Sequence, residues 1–170
     1  YASVDRFTIA QSGGQNSPDQ AQRALTSSDT GPWAKGFRNC YKMTNGNQTS
    51  ADADDYSIIY YKIEAQDIAN SGWDYTNSNS KITFSFWVKS SVAQTFYFDL
   101  TSQDGTSQGY CMSTGALSAN TWTKITKTIP GNSNLQFDNN NGSGLEIGFN
   151  LYYGSNYTDA GRALDTWAAW

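Results

Sequence analysis

The stretch KITFSFWVKSSVAQTFYFDL, Lys81 to Leu100, constrains the fold more than any other part of the chain. Ile82, Phe84, Phe86 and Val88 alternate with Lys81, Thr83, Ser85, Trp87 and Lys89. Period-two alternation is the mark of a strand with one buried face. After a polar break, Phe96, Phe98 and Leu100 alternate with Thr95, Tyr97 and Asp99. An antiparallel hairpin of these two strands keeps both apolar sets on one side only in certain registers. One that suits the loop sets Val88 against Phe96 and Phe86 against Phe98 inside, and Trp87 against Tyr97 outside. The same parity puts Ile82, Phe84, Phe86, Val88, Phe96, Phe98, Leu100, Ile147 and Phe149 in one core between two sheets.

Alternation recurs along the chain. Strands are expected at Val4 to Ile9, Phe37 to Thr44, Ser57 to Glu64, Gly109 to Ser113, Thr123 to Ile129 and Leu145 to Leu151. Leu164 to Trp170 opens a further one, and Gln20 to Leu25 is equally compatible with helix or strand. Gln66 to Asn70 reads as one helical turn, stopped at Gly72. Turn residues separate these segments: Asn45-Gly46, Asp104-Gly105, Pro130-Gly131, Asp159 to Arg162 and the Asn-rich run Asn132 to Gly144. About eight short strands with turns between them indicate an all-β, antiparallel β-sandwich. A jelly roll is the first topology and an immunoglobulin-like sandwich the second. At 170 residues the chain suits a single domain, residues 1–170. Because it opens on Tyr1 close to a strand, it reads as a piece of something longer.

Composition narrows the chemistry. Charged residues make up 15% of the chain, below the usual quarter, and the net charge is −4. That is not the basic footprint of a nucleic-acid binder. No apolar run approaches the roughly 20 residues that cross a bilayer. The chain has no histidine. This removes Ser-His-Asp and Cys-His catalysis and the commonest transition-metal ligand. Cys40 and Cys111 are read as reduced, half-buried thiols, although a bridge between them would close a long loop. Glu64 and Glu146 are the only glutamates. Among the carboxylates, Asp99 and Glu146 on outward strand faces are the one pair to consider for glycoside hydrolysis. Solvated strand positions explain them as well, and no enzymatic activity is expected. Asp52, Asp54 and Asp55 form the densest acidic patch, a calcium candidate without the glycine spacing of a calcium loop. No other cofactor is expected.

Aromatics, at 15%, are the richest signal. Trp33, Trp73, Tyr75, Tyr153 and Tyr157 fall in loops or strand ends; Trp87, Tyr97 and Tyr152 fall on outward strand faces. Aromatic planes can stack on the C–H faces of sugar rings while Asn, Asp and Gln take hydroxyls. The pairs Trp73 with Tyr75 and Trp87 with Tyr97 are the expected glycan contacts. Packing under loops or against a neighbouring protein would equally account for them.

Several of these segments carry a family resemblance. Ser85-Phe86-Trp87-Val88-Lys89-Ser90-Ser91 resembles a strand of the β-sandwich domains in phage virion proteins, chiefly tail fibres and related appendages. It is also similar to a strand of the carbohydrate-binding modules attached to secreted glycoside hydrolases. Asp5-Arg6-Phe7, Tyr41-Lys42-Met43-Thr44, Ile63-Glu64 with Asp67-Ile68, and Asn120-Thr121-Trp122 ending in Ile129-Pro130-Gly131 are similar to further strands of the phage group. Ala65 stands where that group has glycine. The resemblance implies a jelly-roll-like fold in a virion setting, with a structural or host-attachment role. Its implied partners are other virion subunits, in a homo-oligomer of three copies, and a cell-surface glycan. The alternative it implies is a binding module of a secreted, extracellular polysaccharide-degrading enzyme.

Overall fold

The computed structural model describes residues 7–13, 18–44, 52–158 and 162–170. Ten strands are assigned there: β1 (Phe7–Ser12), β2 (Asp19–Ala24), β3 (Asn39–Thr44), β4 (Tyr56–Glu64), β5 (Lys81–Val88), β6 (Thr95–Ser102), β7 (Gln108–Ala116), β8 (Thr123–Pro130), β9 (Ser143–Tyr153) and β10 (Trp167–Ala169). One short helix, α1 (Ala65–Ala69), follows β4. The sequence reading is right about this all-β content, and the undecided segment before Leu25 is a strand. Val4 to Arg6, the Asn45-Gly46 turn and Asp159 to Gly161 lie outside the described residues.

All pairings are antiparallel. A six-stranded sheet runs β1-β4-β9-β6-β7-β10, and two ribbons, β2-β3 and β5-β8, stand apart from it. β9 is central because both neighbours bury it: Phe149 pairs with Ile59 on β4 and with Phe98 on β6. The β5-β8 ribbon lies across this sheet. Phe86 meets Phe98 edge-to-face at 5.1 Å and Phe149 at 5.2 Å. The β2-β3 ribbon is held to the sheet's other end, where Tyr41 stacks on Phe7 at 5.0 Å. The result is a sandwich-like arrangement with one continuous core of Phe98, Leu100, Met112, Ile125, Ile129, Leu145 and Ile147.

The expected hairpin of β5 and β6 does not form. β5 pairs with β8, setting Phe86 against Ile125, while β6 lies between β9 and β7. The six residues 89–94 carry the chain from one layer to the other. Alternation states which face of a strand is buried, and this is satisfied equally by pairing beside another strand or by facing it. Phe86 and Phe98 do meet, but across the core. The expected core is otherwise present: Phe98, Leu100 and Ile147 are buried, and Ile82, Phe84, Phe86, Val88, Phe96 and Phe149 are partly buried against them.

Asp29, 3% exposed, ties the ribbons together. Its carboxylate accepts from Arg23 at 3.2 and 3.3 Å, Lys89 at 3.2 Å, Trp122 Nε1 at 3.0 Å and the Thr26 amide at 3.0 Å. The Trp122 and Thr26 hydrogen bonds, against the cost of burial, hold this carboxyl well below the usual range. One acidic side chain thereby joins β2, the end of β5 and the approach to β8.

Candidate functional site

The outer face of the six-stranded sheet is built by its register. Odd-numbered residues of β6 stand beside even-numbered residues of β9. One row runs Ile58, Asn150, Tyr97, Ser113; the next runs Tyr60, Gly148, Asp99, Cys111; a third runs Lys62, Glu146, Thr101, Gly109. Beyond β9 the chain turns through Ser155–Tyr157, and after Arg162 it returns along β7 as β10. These segments wall one end of the face into a cleft of about 950 Å³, lined among others by Tyr97, Asn150, Tyr153, Tyr157, Arg162 and Trp170.

Three aromatic rings that line the cleft offer exposed surface. Tyr97 is 51% and Tyr157 46% exposed. Tyr157 is held edge-on against Tyr56 at 5.3 Å and tilted against Tyr153 at 5.8 Å. Trp170 is the third. It lies so close over Gly109 that a Cβ at that position would fall 1.9 Å from its ring. The Arg162 guanidinium sits 4.2 Å from the ring centre. The ring packs against Gly109 and under Arg162, yet Trp170 keeps 48% of its surface exposed.

Beneath the cleft lies Asp99, 3% exposed. It accepts from Asn150 Nδ2 at 2.8 Å and from Thr101 Oγ1 at 3.2 Å. Gly148 leaves room for it, since a Cβ there would meet Asp99 Oδ1 at 2.8 Å. Burial pushes the Asp99 carboxyl up to about 6, against the lowering effect of Asn150, Thr101 and Arg162. Burial, with Asp99 adding to it, likewise raises the Tyr60 phenol to about 12 and pushes up Tyr153 and the Cys111 thiol. Asn150 Oδ1 is buried and has no hydrogen-bond partner among the described residues.

Of the four expected glycan contacts, the structure puts only Tyr97 in this cleft. Trp73, 8% exposed, is a core residue whose Nε1 donates to the Ser80 carbonyl at 3.4 Å. Tyr75 packs edge-on against Trp73 and Phe137. Trp73 is thus buried and Tyr75 partly buried, both packed against the core by the loop after α1. Trp87 is half-buried on the opposite layer, against Gly31, where a Cβ would approach its ring to 2.6 Å. It cannot stand beside Tyr97, since β5 and β6 are not neighbours.

Asp55 is buried and accepts from the Asp52 amide at 2.8 Å, closing its own turn, while Asp52 and Asp54 are exposed. Among the described residues no cluster of acidic or thiol side chains could hold a metal ion. Cys40 and Cys111 are both free thiols and partly buried. Asp99 and Glu146 do share a face on adjacent strands, but Glu146 binds Lys62 at 2.8 Å. Asn150, Arg162 and Trp170 were not singled out by the sequence. Asn150 occupies an ordinary outward slot, and the other two are brought in by chain return.

Comparison of the chain with protein-family models, with curated proteins and with solved structures found no match in any of the three.

Proposed function

We propose that this domain is a non-enzymatic structural and adhesion domain of a phage virion appendage, of jelly-roll type, that holds a glycan in the cleft on its six-stranded sheet. The observation that supports this reading is that the exposed rings of Tyr97, Tyr157 and Trp170 line one concave surface. The ring faces supply stacking surface for the C–H faces of a sugar ring. About 1 kcal/mol per ring, taken from aromatic pairs, gives weak binding in the millimolar range, near 4 kcal/mol. Adhesion then depends on several copies, whose linkage raises avidity by roughly 10²–10⁴. Three copies in a symmetric appendage, as the family resemblance implies, meet that need.

The reading is non-catalytic because neither carboxylate on this face is free to act. Glu146 is committed to Lys62, and Asp99 is sealed beneath the sheet's side chains. The test is a glycan array probed with a multimerised domain, alongside Tyr97→Ala and Trp87→Ala. Binding that falls several-fold in Tyr97→Ala and survives Trp87→Ala is expected. A blank array, or binding indifferent to Tyr97, overturns the reading. Release of reducing sugar from a bound glycan contradicts the non-catalytic role. Sedimentation that shows only monomer at high concentration removes the trimer.

A further inference from the structure

Among the described residues that line the cleft, Arg162 is the one charged side chain, in a chain whose net charge is −4. Arg162 is exposed, and it takes part in none of the ion pairs formed among the described residues. Asp99 lies beneath the cleft, but its hydrogen bonds go to Asn150 and Thr101. The guanidinium sits 4.2 Å from the ring centre of Trp170, and that indole is itself seated on Gly109. Its positive charge is felt at Asp99 and Cys111, both of which it pulls toward lower pKa, so the cation stands near the row that floors the cleft. Stacking occupies the flat of a guanidinium and leaves its in-plane N–H groups to meet a carboxylate fork-to-fork.

We propose that the cleft selects acidic glycans, sugar rings that bear a carboxylate, and that Arg162 binds the carboxylate while Tyr97, Tyr157 and Trp170 carry the ring faces. The inference rests on the glycan reading and names the class of glycan within it. Charge complementarity argues for this occupant. One exposed cation, with no carboxylate lining the cleft among the described residues, matches a ring with a single negative charge. A phosphate monoester carries about −1.5 to −2 and leaves part of its charge unpaired there. Exposed Gln94 and Asn156 line the same surface and supply partners for ring hydroxyls. The volume of about 950 Å³ lies at the upper end of the roughly 300–1,000 Å³ usual for ligand pockets, so several linked rings fit.

Methyl glucuronide and methyl glucoside differ only by a carboxylate in place of a hydroxymethyl group, so the pair isolates the charge. Each is titrated into the ¹⁵N-labelled domain at neutral pH, and the Trp170 indole N–H resonance, assigned by its loss in Trp170→Phe, is followed. The glucuronide should bind about three- to tenfold more tightly than the glucoside, between the worth of an exposed ion pair and that of a charged hydrogen bond. Arg162→Gln, its fold checked by its backbone spectrum, should remove the difference, and Arg162→Lys should restore only part of it, because an ammonium lacks the fork. Raising salt from about 0.05 to 0.5 M should shrink it by screening. Equal binding of the two sugars, or a preference that survives Arg162→Gln, overturns the proposal. On an array, uronate oligosaccharides are printed beside their carboxyl-reduced forms. Bound glycans without an acidic preference sink this inference and leave the glycan reading standing. A blank array with a charge-selective glucuronide shift sinks the adhesion reading and leaves the carboxylate site; no response of either kind sinks both.

Discussion

Asp99 and Asp29 are both almost fully buried carboxyls, and they act on stability in opposite directions. Asp29 is lowered by its hydrogen bonds, so the stability it gives is present above the unfolded value near 3.9 and is lost as pH falls through its folded value. Asp99 is raised to about 6 by burial. Its folded form binds the proton more tightly than the unfolded chain does. The associated stability is thus full below about 3.9 and is lost as pH rises through 6. Roughly two pK units correspond to at most about 3 kcal/mol between those limits. About 2 kcal/mol of that falls between pH 4.5 and 7.5, so thermal melts of the wild type should fall by about 4–8 °C over this range, at 2–4 °C per kcal/mol for a domain of this size. Asp99→Asn should remove most of that slope. A wild-type melting temperature that is flat across this range, or an unchanged slope in the variant, counts against a buried ionised Asp99.

At the scale of elements, most strands can be read from alternation, but their partners cannot. β5 and β6 show why. Even-numbered Phe84, Phe86, Phe96 and Phe98 identify buried faces, yet the strands lie in opposite layers. Phe86 still sits at the centre, because Phe98 and Phe149 both pack edge-on against it. Phe86→Ala should destabilise by about 3 kcal/mol, since half-buried rings lose less than fully buried ones. A chemical-denaturation loss under about 1 kcal/mol would detach this ribbon from the core. The site was less legible than the strands. Tyr97 could be named because its parity turns it outward. Trp73 and Tyr75 could not be excluded, since nothing local shows that their loop folds back onto Phe137. Asn150 meets Asp99 only through the β6-β9 register, which is a long-range fact. Arg162 and Trp170 reach the cleft through β10, three residues long and held on β7. Strands this short leave almost no periodic signal.

Across the whole molecule, the strands that complete each layer arrive late in the chain. β4 waits for β9 on one side, and β5 waits for β8. A nascent chain leaving the ribosome thus carries Phe84 and Phe86 unpaired until residue 130 has emerged, and the large sheet has no middle until β9 follows. Non-local pairing of this kind folds in about milliseconds to seconds, slow enough for exposed apolar strands to meet other chains. Synthesis is then an all-or-nothing commitment, in which early strands gain their shelter only when the last third has been made. A chain ended at Asn141 should show no cooperative melt, whereas a sharp transition in it would reveal a self-sufficient early unit. Many copies made together on one polysome would expose the same strands side by side. For a protein of this topology, crowding during manufacture is the hazard, and the speed at which β8 and β9 are delivered sets how long it lasts.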